Sequence, residues 1–311
     1  MKLEADTTMR AVRLHTSEGP AGLILEEIDT PHVLDGEALV RVHAAAITRD
    51  ELGWHTDRLP AIPSYEMSGE VVAVAPGVET VGVGDPVFAL TPFDRDGAAA
   101  DYIAVPAAAL AGAPHSIDHV EAAALPLAAL SAWQGLFDHG HLEQGQRVLV
   151  TGVSGGVGHL ATQLARAHGA HVIGTTSASE EEARAWGVDQ VVDGAGAGLE
   201  DLDLVDLVFD TAGGDLLRRS PTVVRDGGRI VSVAEDPPEV ADGRSIETVY
   251  FVVEPNNEQL LEIARLVDAG ELRPAIDSVF PLADARAAFE RSEQRGKRGK
   301  VVLRVSDEGA P

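Results

Sequence analysis

A glycine-rich loop at residues 151–158, Thr-Gly-Val-Ser-Gly-Gly-Val-Gly, has the residue types and spacing that could hold a dinucleotide. A run typical of a buried strand precedes it (Arg147 to Thr151), a helical pattern follows it (Gly158 to His168), and a second strand is predicted at His171 to Thr175. Glycines in such a loop let the backbone approach a pyrophosphate, which then faces the N–H groups at the start of the helix. The order of elements therefore predicts a βαβ dinucleotide-binding unit.

The loop departs from the strict fingerprint at its first glycine, because Val153 stands at that position and Gly152 comes one residue earlier. The surrounding strand, helix and strand make the pattern more specific than a lone glycine motif. The residues expected to contact the pyrophosphate are Gly152, Ser154, Gly155, Gly156, Val157 and Gly158.

The same residues also fit the G-x-S-x-G nucleophile elbow of α/β-hydrolases, with Ser154 as the nucleophile. That fold needs its histidine after the serine and the acid in chain order. The last histidine here is His171, inside or just after the helix that the loop begins. We therefore interpret Ser154 as a turn residue and keep a hydrolase as a minor alternative.

The end of the second predicted strand bears on the choice of nicotinamide cofactor. An NAD-specific unit usually places Asp or Glu here to bind the ribose diol, whereas this chain has Thr175, Thr176 and Ser177. Small hydroxyl side chains leave room for a 2′-phosphate and can donate to it, so the sequence favours NADPH over NADH. The next cation is Arg184, and the acids between, Glu180 to Glu182, are expected to begin a helix and point outward.

Composition argues against nucleic-acid and anionic-membrane partners, since 24 Lys and Arg and 50 Asp and Glu give a formal net charge of −26. The chain has no cysteine, which removes disulfides, Cys-ligated zinc and thiol catalysis and fits a cytoplasmic location. No signal peptide is evident at Met1. The most apolar segment, Ala122 to Trp133, is shorter than the ~20 residues of a membrane span.

Two patterns divide the 311 residues, a length sufficient for two domains. Short β-type runs separated by Gly, Pro and Asp turns fill the first part and predict a small, mostly antiparallel barrel or sandwich. A helical period begins at Asp118 and puts a domain boundary near Glu121. The β-type runs are Ala11 to Leu14, Leu23 to Ile28, Ala38 to Val42, Gly69 to Ala75, Pro86 to Leu90 and Tyr102 to Val105.

Further buried parallel strands are predicted after the dinucleotide-binding unit, so the sequence indicates an α/β chain with a doubly wound sheet. These strands are Val205 to Phe209, Ile230 to Val233 and Val249 to Val253, with helices near Ala183 and Leu216. The last part is predicted to hold a helix through Leu260 that ends at Gly270, a strand at Val279-Phe280, a helix from Asp284 to Arg291 and a strand from Lys300 to Val305.

Several motifs, in this order, resemble the zinc-independent branch of the medium-chain dehydrogenase/reductases, the quinone oxidoreductase-like and enoyl-reductase-like enzymes. The resemblance covers nearly the whole chain from Met9. Besides the glycine loop, it rests on residues 44–52 (AAAITRDEL), 63–69 (PSYEMSG), 83–87 (VGDPV), 123–134, 210–214 (DTAGG) and 298–303 (RGKVVL).

This resemblance implies two domains and a site for a nicotinamide cofactor. A GroES-like, β-rich catalytic domain is expected at residues 1–122 and 255–311, and a Rossmann domain at residues 123–254. The nicotinamide is expected to reach into the cleft between them, and no flavin is needed. The resemblance also implies a homodimer, for which Thr248 to Val253 is the candidate edge strand.

Zinc-dependent relatives hold their catalytic metal with two cysteines and a histidine, and the matching positions here are Thr48, Tyr65 and Leu127. Leucine cannot ligate zinc, and neutral Thr and Tyr are poor donors beside thiolate and imidazole. Another cluster, Asp138-His139-Gly140-His141, is interpreted as a solvated loop, with a metal site as the minor alternative. We therefore expect no metal, and hydride transfer to a quinone, an enone or another activated C=C, because such an acceptor delocalises the charge itself.

The resemblance also assigns site residues. Tyr65 and Thr48 are the catalytic candidates: the Tyr65 phenol either hydrogen-bonds the acceptor carbonyl or protonates the developing enolate, or it only shapes the pocket while water supplies the proton. Trp54 and Arg49 are weaker pocket candidates, and Phe251 is equally explained by core packing. The cofactor contacts are expected at Ser131, Thr211, Gly213, Ser232, Val233, Ala234, Phe251, Val252, Val253 and Lys300.

A protein without turnover is the alternative from a different class. Such a protein would bind the nucleotide as a redox sensor or a structural component, because the fold survives the loss of a catalytic residue. Consumption of NADPH in the presence of an acceptor separates the two hypotheses.

Overall fold

The structure, a computed structural model, describes residues 8–54, 56–240 and 243–306, apart from the side chain of Thr56. The described chain divides into two compact units. Unit 1 contains residues 8–127, Glu254–Gly270 and 274–306, and unit 2 contains Ala128–Val253 and Glu271–Arg273. The domain boundaries given above, after residues 122 and 254, stay a prediction.

The first part of the chain is mostly strands, and each of the six predicted β-type runs lies in one of them, apart from Ala75, which is one residue past the end of its strand. The elements are β1 (Thr8–Leu14), β2 (Leu23–Asp29), β3 (Glu37–Ile47), β4 (Glu66–Val74), β5 (Pro86–Leu90), β6 (Tyr102–Pro106), β7 (Ala111–Gly112) and helix α1 (His119–Ala123). Helix α1 begins where predicted because Asp118 and Glu121 form a reciprocal capping box, in which the Asp118 side chain accepts from Glu121 N at 2.8 Å.

Helices and short strands alternate in the middle of the chain. The elements are α2 (Pro126–Trp133), a π-helical segment (Gln134–His139), β8 (Arg147–Val150), α3 (Gly158–Ala167), β9 (His171–Thr176), α4 (Glu180–Ala185), β10 (Gln190–Asp193), β11 (Val205–Asp210), α5 (Gly214–Arg219), β12 (Val224–Ser232) and β13 (Glu247–Tyr250). The last part contains α6 (Asn257–Asp268), β14 (Ile276–Pro281), α7 (Ala285–Glu293) and β15 (Lys300–Arg304).

Unit 1 is built on a seven-stranded sheet with the order β14-β15-β3-β4-β5-β7, in which β6 also pairs with β3. All of its pairs are antiparallel except β14 with β15. Strand β3 is longer than predicted because residues 44–47 pair with β15, and residues 44–46 also with β4. This register brings the start of β15 beside the end of β3, so Lys300 lies close to Thr48.

Unit 2 is built on a six-stranded, wholly parallel sheet with the order β10-β9-β8-β11-β12-β13. The predicted doubly wound sheet is confirmed. The strand order reverses between β8 and β11, and the carboxyl ends of strands on either side of such a switch point form a crevice for ligands. The glycine loop follows β8 at this point.

Two expectations for unit 2 were wrong in detail, and one strand was missed. The apolar run Val249 to Val253 was predicted to be buried, but the residues of β13 are exposed or half-buried, and Val252 lies beyond it and is 61% exposed. The strand is the edge of the sheet, as the resemblance implied. Residues 138–141 are not simply a solvated loop, because Asp138 and His139 end the π-helical segment and the His139 ring packs on Phe251 with a centroid distance of 4.4 Å. Strand β10 was not predicted at all.

Among the described residues, none of the helices has both the length and the apolar character needed to cross a membrane.

Candidate active site

The glycine loop makes a turn that glycine alone allows. Gly152 has a φ of +71°, and its N–H donates to Thr175 Oγ1 at 3.0 Å. A Cβ on Gly158 would lie 2.2 Å from the Gly152 carbonyl oxygen, so only glycine lets α3 start this close to β8. Gly155 N donates to the Gly152 carbonyl at 2.9 Å and closes the turn. The local geometry fits a bound pyrophosphate.

A buried carboxylate, Asp210, connects the strand ends around this loop. It is 0% exposed and accepts from Thr151 Oγ1 at 2.6 Å, from Ser232 Oγ at 2.9 Å and from Gly213 N at 3.0 Å. Thr211 Oγ1 donates in turn to the Thr151 carbonyl at 2.6 Å. Three predicted cofactor residues, Thr211, Gly213 and Ser232, are thereby held beside the glycine loop.

The hydroxyls at the end of β9 are arranged by the loop as well. Ser154 Oγ lies 2.7 Å from Thr176 Oγ1, which accepts from Ala178 N at 2.9 Å. Ser177 is exposed. Arg184 is tied to Glu180 at 2.6 Å and donates to the Asp189 carbonyl at 3.0 Å.

The hydrolase alternative receives no support from this arrangement. The Ser154 hydroxyl is paired with Thr176, and the His159 ring bonds the Gly155 carbonyl at 2.8 Å.

The other predicted cofactor residues lie in several places. Ser131 is buried in α2. Val233 N donates to the Asp210 carbonyl at 3.1 Å, and Ala234 N donates to Ser232 Oγ at 3.1 Å. Both residues therefore lie beside Asp210 and Ser232. Phe251 packs on His139 and Val253 is buried. Their contacts with a cofactor stay a prediction.

In unit 1 a second group of polar side chains is buried around the end of β3. The Lys300 ammonium contacts Glu66 Oε1 directly and donates to Thr48 Oγ1 at 3.2 Å. The other Glu66 oxygen accepts from Leu127 N at 3.0 Å. Thr48 and Lys300 were predicted as site residues. The role of Lys300 as a cofactor contact stays a prediction, since its ammonium is engaged by Glu66 and Thr48.

A second carboxyl group, Glu51, belongs to the same buried group. It is 3% exposed, and its two oxygens accept from Thr48 N and Ser64 N, each at 3.1 Å. Burial raises the pKa of Glu51 to about 8, against the opposing effects of the Thr48 N–H and Lys300; the nearby Glu66 carboxylate adds to the rise.

Tyr65 lies against aromatic side chains at the end of this group. It is 2% exposed, and its ring lies 5.3 Å from that of Phe93 and 6.0 Å from that of Trp54, which is 39% exposed. Burial raises the pKa of the Tyr65 phenol to about 12, and the Glu51 charge acts in the same direction; Arg58, which hydrogen-bonds the phenol, opposes both. The phenol therefore keeps its proton at neutral pH.

Comparison with known proteins identifies the family. The family model described as "Alcohol dehydrogenase GroES-like domain" matches residues 34–115, and the one described as "Zinc-binding dehydrogenase" matches residues 186–303. A "Probable zinc-binding oxidoreductase, mitochondrial" from Arthroderma benhamiae is 34% identical over 88% of this chain and 90% of its own length.

Two further relatives support the same family assignment. An "NADPH-dependent alkenal/one oxidoreductase, chloroplastic" from Arabidopsis thaliana is 32% identical over 89% of this chain and 74% of its own length. The solved structure of a quinone oxidoreductase from Coxiella burnetii is 30% identical, with a TM-score of 0.86 over 96% of this chain and 100% of that one. The chain belongs to the quinone oxidoreductase-like medium-chain dehydrogenase/reductases. It is an oxidoreductase, and the predicted combination of a GroES-like and a Rossmann domain is confirmed.

The sequence of this medium-chain dehydrogenase/reductase predicted Thr48, Tyr65 and Lys300 as site residues. It did not predict that Glu51, Glu66 and Asp210 belong to the buried polar groups. All three acids lie in motifs that carry the family resemblance, AAAITRDEL, PSYEMSG and DTAGG. The available signal was a carboxylate within or beside an apolar strand pattern, since an acid that is buried needs specific partners.

Proposed function

We propose that this oxidoreductase uses NADPH to reduce enones, quinones and related activated alkenes, without zinc and without a flavin. The reduced nicotinamide supplies the hydride when it is bound. The main support for this proposal is the glycine loop at the switch point of a parallel sheet. The relatives of the chain also include an alkenal/one oxidoreductase and a quinone oxidoreductase.

The preference for NADPH is supported by the end of β9. Residues 175–177 are Thr, Thr and Ser, so this position has no carboxylate that could accept hydrogen bonds from a ribose diol. The Ser177 side chain is exposed, and its hydroxyl can donate to a 2′-phosphate. Because Arg184 is held by Glu180, the preference rests on hydroxyl and backbone donors. An aspartate in place of Ser177 is expected to shift the ratio of kcat/KM values towards NADH by at least about tenfold, and Ser177→Ala is the matched control.

The absence of zinc from the mechanism is supported by the residues at the three matching positions. The Thr48 hydroxyl is engaged by Lys300, Tyr65 packs in an aromatic cluster, and Leu127 offers only its backbone N–H, which Glu66 accepts. Among the residues described, no group of three or more His, Cys, Asp or Glu side chains is placed to hold a metal ion. Strong chelation is expected to leave activity intact; activity lost on chelation and restored by zinc would refute this part of the proposal.

The acceptor class follows from the same residues. Hydride addition to a simple carbonyl forms an alkoxide, which needs a Lewis acid to stabilise it. An enone or a quinone instead delocalises the added charge over its own conjugated system. The protein then has to orient the acceptor, exclude water and provide hydrogen-bond donors, of which the buried Tyr65 phenol is our candidate.

The test is consumption of NADPH and NADH across a panel of quinones, enones, enoyl thioesters and simple aldehydes. We expect turnover with the conjugated acceptors and NADPH. Binding of NADPH without consumption across the whole panel would contradict the proposal and favour the nucleotide-binding alternative.

We also propose a homodimer formed through β13. This strand is the edge of the parallel sheet, and it carries or adjoins two exposed large apolar side chains, Tyr250 at 43% and Val252 at 61%. The double variant Tyr250→Lys, Val252→Lys is expected to have the mass of a monomer when measured by light scattering. A cytoplasmic location stays a prediction.

A further inference from the structure

The buried polar group of unit 1 holds two carboxyls and a single ammonium. Lys300 is in direct contact with Glu66, so this pair balances its own charge. Glu51 is then the unbalanced member, 3% exposed and near both. Ionisation of both acids would leave one uncompensated negative charge in a low-dielectric region, which is costly.

A small cavity within unit 1, with room for about one water molecule, is lined by Glu51 and Tyr65 together with apolar residues. Those apolar residues are Leu14, Leu52, Ala61, Ile62 and Pro63. Glu51 therefore lines a cavity together with the proposed carbonyl donor, Tyr65.

We infer that Glu51 is the acid that supplies the proton when this enzyme reduces an enone, an inference that rests on the function proposed above. The hydride adds to the β-carbon of the enone, and the electron pair of the C=C bond moves to form an enolate. The α-carbon then takes a proton that comes from Glu51 through one water in the cavity. Glu51 is left as a carboxylate, which regains a proton from solvent before the next turnover.

The other candidate acid in the cavity is less suited to this transfer. A general acid is most effective when its pKa lies near the operating pH. Burial raises the pKa of Glu51 to about 8, whereas burial raises that of the Tyr65 phenol to about 12. We therefore assign the hydrogen bond to the acceptor carbonyl to Tyr65 and the proton transfer to Glu51.

The two classes of acceptor allow a test inside one enzyme. Reduction of an enone requires protonation at carbon, which is slow without a positioned acid. A quinone ends as a hydroquinone, whose oxygens exchange protons rapidly with water. We expect Glu51→Gln to lower kcat for an enone about 100-fold more than kcat for a quinone, within the range of general acid catalysis.

Two further variants keep this test decisive. Glu51→Asp retains an acid and is expected to recover part of the enone activity. Glu27→Gln removes a carboxylate from the exposed side of β2 and is expected to leave the ratio of the two rates unchanged.

A second readout does not depend on turnover. The infrared carbonyl band of a protonated carboxylic acid should be present at pH 7, shift in heavy water and be missing in Glu51→Gln. A missing band in the wild-type protein, or an equal loss of enone and quinone reduction in Glu51→Gln, would overturn the inference alone. Wild-type protein that oxidises NADPH with neither acceptor would overturn the proposed function and this inference with it.

Discussion

The ammonium group of Lys300 and the carboxylate of Glu66 form an ion pair whose side chains are only 4% and 0% exposed. Removing one partner of such a pair leaves the other charge buried without compensation, which typically costs about 3–5 kcal/mol. We therefore expect Lys300→Met to lower the free energy of unfolding by about that amount in denaturant titrations.

The double variant Lys300→Met, Glu66→Gln is the matched control for this pair. It removes both charges, so it should be more stable than Lys300→Met alone. Glu66→Gln alone completes the cycle. Losses of the two single variants that add up to the loss of the double variant would show that the pair is not energetically coupled.

The raised pKa of Glu51 predicts a dependence of stability on pH. The folded protein keeps the Glu51 proton up to a pKa of about 8, while the unfolded chain loses it near 4.5. The stabilisation is complete below about pH 4.5 and is lost as the pH rises through 8. The slope from this group approaches about 1.4 kcal/mol per pH unit within that window, and Glu51→Gln should remove it. An identical slope in wild type and variant would contradict the raised pKa.

A stacked pair of histidines predicts the opposite dependence. The rings of His43 and His119 lie 4.4 Å apart, and burial, helped by His43 and opposed by Asp118 and Glu70, lowers the pKa of His119 to about 4. Because the unfolded chain binds this proton near pH 6.5, the contribution to stability is present above pH 6.5 and is lost as the pH falls towards 4. Thermal melts of His119→Gln should show a smaller loss over this range than wild type.

Substitution of the loop glycine Gly158 is expected to impair cofactor binding. An alanine Cβ would meet the Gly152 carbonyl at 2.2 Å and push α3 away from β8. We expect the Kd for NADPH in Gly158→Ala to rise at least about tenfold by calorimetry. Gly243→Ala, where a Cβ meets nothing within 4 Å, is a control for glycine replacement in unit 2; its φ of +88° predicts some loss of stability but normal binding.

The phenol of Tyr65 is tested by Tyr65→Phe, which keeps the ring and its packing on Phe93. If the hydroxyl donates to the acceptor carbonyl, kcat should fall by about 100-fold for quinones and enones alike. Unchanged turnover with a good acceptor would remove the hydroxyl from the mechanism and leave Tyr65 as a residue that shapes the pocket.

Much of the fold could be predicted from local patterns. The glycine loop, the strand before it and the helix after it were placed to within a residue or two, because a buried strand and an amphipathic helix leave different periods in the sequence. The apolar pattern of β13 predicted a buried strand, since an apolar run does not reveal whether a strand lies at the centre or the edge of a sheet. Only the resemblance indicated the edge. Strand β10 is four residues long and was missed.

The polar groups were less predictable. Thr48 and Tyr65 were named only because they occupy positions that matter in related enzymes. Glu51, Glu66 and Asp210 depend on pairings between distant residues, such as β15 beside β3, which no local period encodes. Those pairings determine whether a carboxyl group is buried, so the raised pKa of Glu51 could not be predicted from the sequence either.

Asp210 has a practical consequence for redesign. Since this side chain accepts from Thr151, Gly213 and Ser232, segments transplanted from another protein into any one of these positions must bring a compatible donor, or the neighbouring segments will shift as well. Thr176 and Ser177 lie outside this set of bonds. Libraries intended to exchange one coenzyme for another should therefore vary these two positions and leave the residues bonded to Asp210 unchanged.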